Sequence, residues 1–333
     1  MTVTGKIIQF PHHPGSGGPG SFQIRFEKAL KLKGWKVTYA GEKIKPKIIF
    51  IVGGTRRIFW LLTMKLKGVP IVYRLDGINW IHHKKKIGVR GFLLAEYRNW
   101  NNKLIHAVFA DYIIYQSKFV QNWWERRGWR IHKRISVINN GVDLKAFQPL
   151  NNKKKVCLVC LENTIDYSPY AVKLLNNLRR ILPDDLQINL YGRFENRSQE
   201  TKLDPGIIYS GYIDRNRVNI EFQNAIYLSL DIHPACPNSV IEALACGAPV
   251  VAFDTGSLKE LVPPEAGIIV PYGSDPWNVG YPDDKSLSSA IMKIYDNWDV
   301  FSKGARLTAE KYYGLNDVFN SYLNVIGELV VLK

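Results

Sequence analysis

The residues best suited to chemistry in this 333-residue chain lie in one block, PNSVIEALACGAPVVAFDTGSLKEL, beginning at Pro237. A loop, a helix, a tight Gly-Ala-Pro turn, a strand and a second glycine-containing loop follow one another, so the block reads as one ligand-binding unit. Asn238 and Ser239 stand where a helix N-cap belongs. Their backbone N–H groups and the positive end of the helix dipole then point at whatever lies ahead of Val240, and a diphosphate is the best occupant. Glu242, placed by this reading in the first turn, has two uses: bidentate hydrogen bonding to ribose hydroxyls, or service as a capping-box or dipole partner.

Two segments of the first half also bear on chemistry. PHHPGSGGPGSFQIRF puts Gly15, Gly17, Gly18 and Gly20 between a strand and a helix, where a bare backbone can approach a bulky anion. Gly15, Gly17 and Gly20 have G-x-G-x-x-G spacing, but it is not read as a dinucleotide fingerprint, because no acidic residue follows at the right point after the next strand; a plain flexible loop is the other reading. Asp76, in YRLDGINW, follows a strand; it is either a site carboxylate or an Asx-turn residue before Gly77.

The elements that must position these loops alternate strand and helix. In the first half, KIIQF, KIIFIV, PIVYRLDG, DYIIYQS and RISVINNG predict strands, with helices over FQIRFEKALKLKG, RIFWLLTMKLKG, a long stretch through His106, and KFVQNWWERRG. After Asp143 a polar run carrying Pro149 and ending at Asn152–Lys155 reads as a linker. The pattern then restarts: VCLVCL, a helix around Tyr170–Ile181, QINLYG, GIIYSG, a helix near 214–224, YLSLDIHP, a helix at Val240–Cys246, PVVAFD and GIIVPYG. From Leu287 the tail is helical in two segments. The expectation is two doubly wound parallel-sheet domains, over 1–150 and 151–310, with a terminal helix at 311–333 and ligands in a cleft at the carboxyl ends of the strands.

Composition narrows the class. A hydrophobic share of 46% with 22% charged residues is ordinary for a globular enzyme. Forty-five Lys plus Arg against 29 Asp plus Glu leave +16, which favours phosphorylated ligands or an anionic membrane surface. Nucleic acid is set aside, since the basic residues are scattered and no zinc-finger, basic-zipper or RNA-binding signature occurs. Lys84, Lys85 and Lys86 with Trp80 suit a peripheral membrane contact. His82 and His83 read as part of that basic face, so no metal site is expected. Cys157 and Cys160 lie in an apolar run and read as buried strand residues. With no signal peptide or membrane span, a cytoplasmic location is expected.

NSVIEALACGAPVVAFDTGSLKELV resembles the donor-site signature of the retaining glycosyltransferase family that includes sucrose and glycogen synthases and bacterial lipopolysaccharide transferases (glycosyltransferase family 4-like). VINNGVDLKAFQP is similar to the family's Asn-Gly-Val-Asp segment closing the first domain. The resemblance implies the GT-B fold: two Rossmann-like domains facing a cleft, with a C-terminal helix crossing back to the first. It further implies that Glu242 binds the donor ribose, that Asn238, Ser239 and Val240 meet the diphosphate through their backbone, and that Thr255, Gly256 and Ser257 line the same pocket. Gly17, Gly18 and Gly20 would belong to a loop over the donor phosphates and acceptor entrance. Asp76 would orient the acceptor hydroxyl or stabilise positive charge on the sugar.

Two positions depart from the family pattern. A glutamate expected eight residues before Glu242 is Pro234, and the Arg and Lys expected after the first strand of the second domain are replaced by LENTIDYSPYA. Something cationic must offset charge on the departing phosphate. Arg193, after QINLYG, is the candidate, with a solvated loop arginine as the equal alternative. The reading is a metal-independent, retaining hexosyltransferase of glycan biosynthesis. It uses no cofactor, takes a UDP- or GDP-sugar as donor, and acts on a hydroxyl of a glycan or lipid-linked acceptor. Its rivals are a non-catalytic partner subunit and a nucleotide-sugar epimerase; the latter would need carboxylates or histidines poised in the second domain.

Overall fold

The computed structural model describes residues 5–15, 17–85, 87–127, 134–150 and 155–331. The chain divides into two compact units, one of Met1–Asn140 with Asn316–Lys333 and the other of Gly141–Leu315. The expected linker residues Asn152, Lys153 and Lys154 lie outside the described residues.

Unit 1 is a six-stranded parallel sheet, β1 (Ile7–Phe10), β2 (Lys36–Tyr39), β3 (Ile48–Val52), β4 (Ile71–Leu75), β5 (Tyr112–Tyr115) and β6 (Arg134–Val137), in the order β2-β1-β3-β4-β5-β6. Every residue of β3, β4 and β5 is buried. Strands covered on both faces need unbroken apolar runs, which is why these read clearly in the sequence. β2 was not anticipated: Lys36 and Thr38 interrupt its apolar run, as suits a short strand on the edge of a sheet. Helices α1 (Gly17–Leu32), α2 (Ile58–Leu66), α3 (Gly88–Leu104) and α4 (Lys118–Arg126) make the crossovers, α3 running into a π-helical turn at Ile105–Phe109.

Unit 2 repeats the plan with β7 (Cys157–Thr164), β8 (Ile188–Arg193), β9 (Ile207–Tyr209), β10 (Ala225–Ser229), β11 (Val250–Phe253) and β12 (Gly267–Val270), all parallel, ordered β12-β11-β10-β7-β8-β9. This is the doubly wound dinucleotide-fold order, whose direction reverses between β7 and β10. Its helices are α5 (Ala171–Ile181), α6 (Arg197–Glu200), α7 (Val218–Glu221), α8 (Asn238–Ala245), α9 (Leu258–Leu261), α10 (Asp284–Asp296) and α11 (Trp298–Tyr312).

The tail from Asp284 forms three helices where two were expected, ending in α12 (Leu315–Val331). From Asn316 this helix belongs to unit 1. Its Phe319 and Tyr322 enter an aromatic cluster with Phe22, Phe26 and Phe50, and the Tyr322 hydroxyl accepts a hydrogen bond from buried Arg74 (3.1 Å). No helix among the described residues is long and apolar enough to cross a membrane. All four cysteines are free.

Candidate active site

In unit 2 Asn238, Ser239, Val240 and Glu242 all lie on α8. Pro237, with extended backbone, is the N-cap, so Asn238 and Ser239 are the first two helical residues and not the cap itself. Their N–H groups still belong to the first turn, whose donors have no carbonyl within the helix. The Ser239 side chain is hydrogen-bonded to the Tyr227 phenol, which in turn donates to the Leu161 carbonyl (3.2 Å); the start of α8 is thereby tied to β10 and β7. Val240 is buried. At its other end α8 closes with left-handed Gly247: Gly247 N–H donates to Leu244 O (3.0 Å) and Ala248 N–H to Ala243 O (2.9 Å), the pairing of a Schellman cap. Arg306 of α11 donates to the Ala245 carbonyl (2.7 Å), a cation at the negative end of the helix.

With Pro237 as the N-cap, Glu242 falls in the second turn of α8 and not the first, which removes the capping-box reading. Its side chain is 8% exposed, and its Oε1 accepts from Arg215 Nη2 at 2.6 Å, the arginine being 49% exposed. Arg215 opens a short 3₁₀ turn after β9 and carries no sequence signal linking it to Glu242.

The loop of Thr255, Gly256 and Ser257 is docked against the segment after β10. Thr255 Oγ1 donates to Asp231 O (3.2 Å) and Ser257 N–H to Pro234 O (3.0 Å). Gly256 has φ +58°, and a Cβ there would lie 2.5 Å from the Pro234 nitrogen and Cδ. Pro234 thus serves as the floor on which this loop rests. Beside it His233 holds φ +55° and stacks on Trp277, centroids 3.6 Å apart; burial lowers its imidazole to about 4. Such left-handed backbone in a bulky residue is held by its surroundings and clusters at functional sites.

At the point where strand order reverses, β7 and β10 deliver two carboxylates that sequence reading missed, Glu162 and Asp231. Burial raises both, Asp231 to about 6; Asp231 also raises Glu162, while the Leu230 N–H donated to Glu162 (2.8 Å) opposes the rise. The available signal was position, each closing an apolar strand at a switch point. Arg193 is the last residue of β8; its guanidinium is exposed and lies 4.2 Å over the Tyr212 ring.

In unit 1 Asp76 follows β4 and lines an open cavity of about 660 Å³, with His12, Pro19, Gly53 and Gly54 at the β1/β3 reversal of strand order. Its Oδ1 accepts from Gln116 and from Arg74 (3.2 Å), and its carbonyl from Trp124 Nε1 (3.0 Å), so the carboxylate is fixed. Burial raises the Asp76 carboxyl, with Arg74 and Gln116 opposing. Gly17, Gly18 and Gly20 form the first turn of α1 and not an open loop; a Cβ on Gly20 would collide with Gly15 O, while Gly17 and Gly18 face open space.

His82, His83 and Glu96 are the one group of potential metal ligands among the described residues. Both imidazole Nε2 atoms reach Glu96 Oε1, at 2.6 and 3.1 Å, and the His82 bond holds the Glu96 carboxyl low. Trp80 is 7% exposed, which corrects its expected place beside the lysines on an exposed basic face; Lys86 lies outside the described residues.

Residues 167–297, under half of the chain but including α8 and both flanking loops, match the family model described as Glycosyl transferases group 1. The chain superposes on sucrose-phosphate synthase from Thermosynechococcus elongatus with TM-score 0.75, covering 98% of this chain and 99% of that one at 16% identity. Anabaena HepE in complex with UDP gives 0.71 at 15% identity, covering 97% and 100%. A glycosyltransferase from Rickettsia africae gives 0.65 at 17%, covering 97% and 98%. The fold is GT-B. Among curated protein sequences none is significantly similar to this chain. The GT-B architecture thus extends over nearly the whole chain, and the family match falls on the unit that holds α8.

Proposed function

We propose that this chain is a retaining, metal-independent glycosyltransferase that moves a hexose from a UDP- or GDP-sugar to a hydroxyl acceptor on a glycan or lipid-linked saccharide. The observation that carries the reading is the coincidence of the glycosyltransferase match over 167–297 with α8, whose first-turn N–H groups suit a diphosphate and whose second-turn Glu242 suits ribose hydroxyls. Anabaena HepE was solved with UDP, which supports a uridine nucleotide as the first ligand to try. Asn238, Ser239 and Val240 hold the diphosphate, Glu242 the ribose, and Thr255, Gly256 and Ser257 the pocket wall. Arg193 supplies positive charge to the leaving phosphate, and Gly17, Gly18 and Gly20 let the backbone at the start of α1 approach a phosphate. The leaving phosphate helps take the acceptor proton, and the protein contributes position and electrostatics, with Asp76 stabilising positive charge on the sugar or orienting the acceptor.

The test is a panel of sugar nucleotides with and without EDTA. Nucleotide release with retained anomeric configuration is expected, unaffected by EDTA; binding without turnover would mark a non-catalytic partner instead. A nucleotide-sugar epimerase is a second reading, favoured by the Glu162–Asp231 pair, since proton transfer needs carboxylates with raised pKa. It predicts an epimerised sugar with no acceptor present.

For membrane contact the supporting surface is α3, where Val89 (78% exposed), Leu93 and Trp100 accompany Arg90 and the nearby Lys84 and Lys85. Sedimentation with phosphatidylglycerol vesicles, but not phosphatidylcholine vesicles, is the expected result.

A further inference from the structure

The cavity beside Asp76 has a lopsided charge. Arg56 and Arg57, in the loop after β3, and Arg98, on α3, all line it. Their side chains are exposed, and none makes an ion pair or side-chain hydrogen bond with any described residue. The one carboxylate in the lining is Asp76, and Arg74 already shares it. Three guanidinium groups are therefore left uncompensated around one concavity, where low-dielectric walls concentrate their field.

The floor is built for a ligand with hydroxyls as well. Gly53 and Gly54 have φ +70° and +131°; a Cβ on Gly53 would lie 2.8 Å from Asp76 Oδ2, and one on Gly54 2.5 Å from Asn102 Oδ1. Both glycines therefore keep those oxygens clear of side chains. Asn101 donates from Nδ2 to the Thr55 carbonyl (2.8 Å), and its buried Oδ1 has no partner among the described residues. Amide and carboxylate oxygens that the protein does not use suit sugar hydroxyls, whereas forked guanidinium donors suit phosphate or carboxylate.

We infer that this cavity takes an acceptor carrying an anionic group, phosphate or carboxylate, held by Arg56, Arg57 and Arg98 while Asp76 meets the hydroxyl. The role of Asp76 rests on the glycosyltransferase reading; anion binding by the arginines does not.

The test is calorimetric titration of the full chain, saturated with UDP, with inorganic pyrophosphate, glucuronic acid and glucose. Wild type, Arg98→Gln and Arg56→Gln/Arg98→Gln are compared after thermal unfolding shows that all are folded. Pyrophosphate or glucuronate should bind while glucose does not, with affinity about tenfold lower in the double variant, the size expected for losing a charge-assisted contact. Stronger binding of pyrophosphate identifies a phosphorylated acceptor, and of glucuronate a uronic acid. Absence of anion binding, equal binding by glucose, unchanged affinity in the double variant, or displacement of pyrophosphate by UDP would each overturn the inference. Failure of UDP itself to bind counts against the proposed activity, and the titrations without UDP still read the arginines.

Discussion

Arg215 Nη2 stands 2.6 Å from Glu242 Oε1, so the glutamate assigned to the ribose enters the site with one oxygen already held by a cation. The contact orients a carboxylate that is nearly buried, and an oriented acceptor loses little freedom when it binds hydroxyls. Glu242→Ala is expected to weaken UDP binding at least tenfold, about 1.4 kcal/mol. Calorimetry checks this, and unchanged affinity would remove the residue from the site.

Gly256→Ala should be costly, because its Cβ would meet Pro234 at 2.5 Å in a backbone conformation that side chains rarely adopt. A loss of about 1–3 kcal/mol is expected, together with weaker nucleotide binding as the loop moves off its floor. Chemical denaturation and UDP titration on the same preparations measure both.

The Glu162–Asp231 pair makes stability depend on pH. The folded state favours their protonated forms, Asp231 titrating at about 6 against an ordinary 3.8 and Glu162 raised well above its ordinary value. The favourable contribution of Asp231 is complete below pH about 4 and lost as pH rises through 6, and that of Glu162 likewise falls as pH rises. Glu162→Gln keeps an oxygen for the Leu230 N–H and removes the charge, so its Tm should exceed that of wild type at pH 8 and converge with it at pH 4. Parallel Tm curves would show that the pair is not coupled to folding.

Asp76→Asn preserves the shape of the cavity and an oxygen for Arg74, but removes the charge. Transfer is expected to fall about a hundredfold in kcat, within the range of a lost acid, base or electrostatic group. UDP affinity should be unchanged, since the residues assigned to the nucleotide are in unit 2. A matching loss of UDP binding would contradict that division of labour.

The sequence by itself determined what is local. Continuous apolar runs such as IIFIV at 48–52 must be strands covered on both faces, and their alternation with helices dictates parallel sheets. The loop–helix–turn–strand order around Asn238, Glu242 and Gly247 was legible because capping and turn chemistry act within a few residues. Tertiary structure decided what depends on residues distant in the chain. No periodicity ties Arg215 to Glu242, Glu162 to Asp231, or Arg98 to Asp76; strand order and crossover helices bring them to common sites. Trp80 looked like a membrane residue by its basic neighbours and proved buried, because burial follows packing and not local composition. Pro234, in sequence only a missing glutamate, acquired a role once Gly256 was found lying against it, a contact that exists only when two loops fold together.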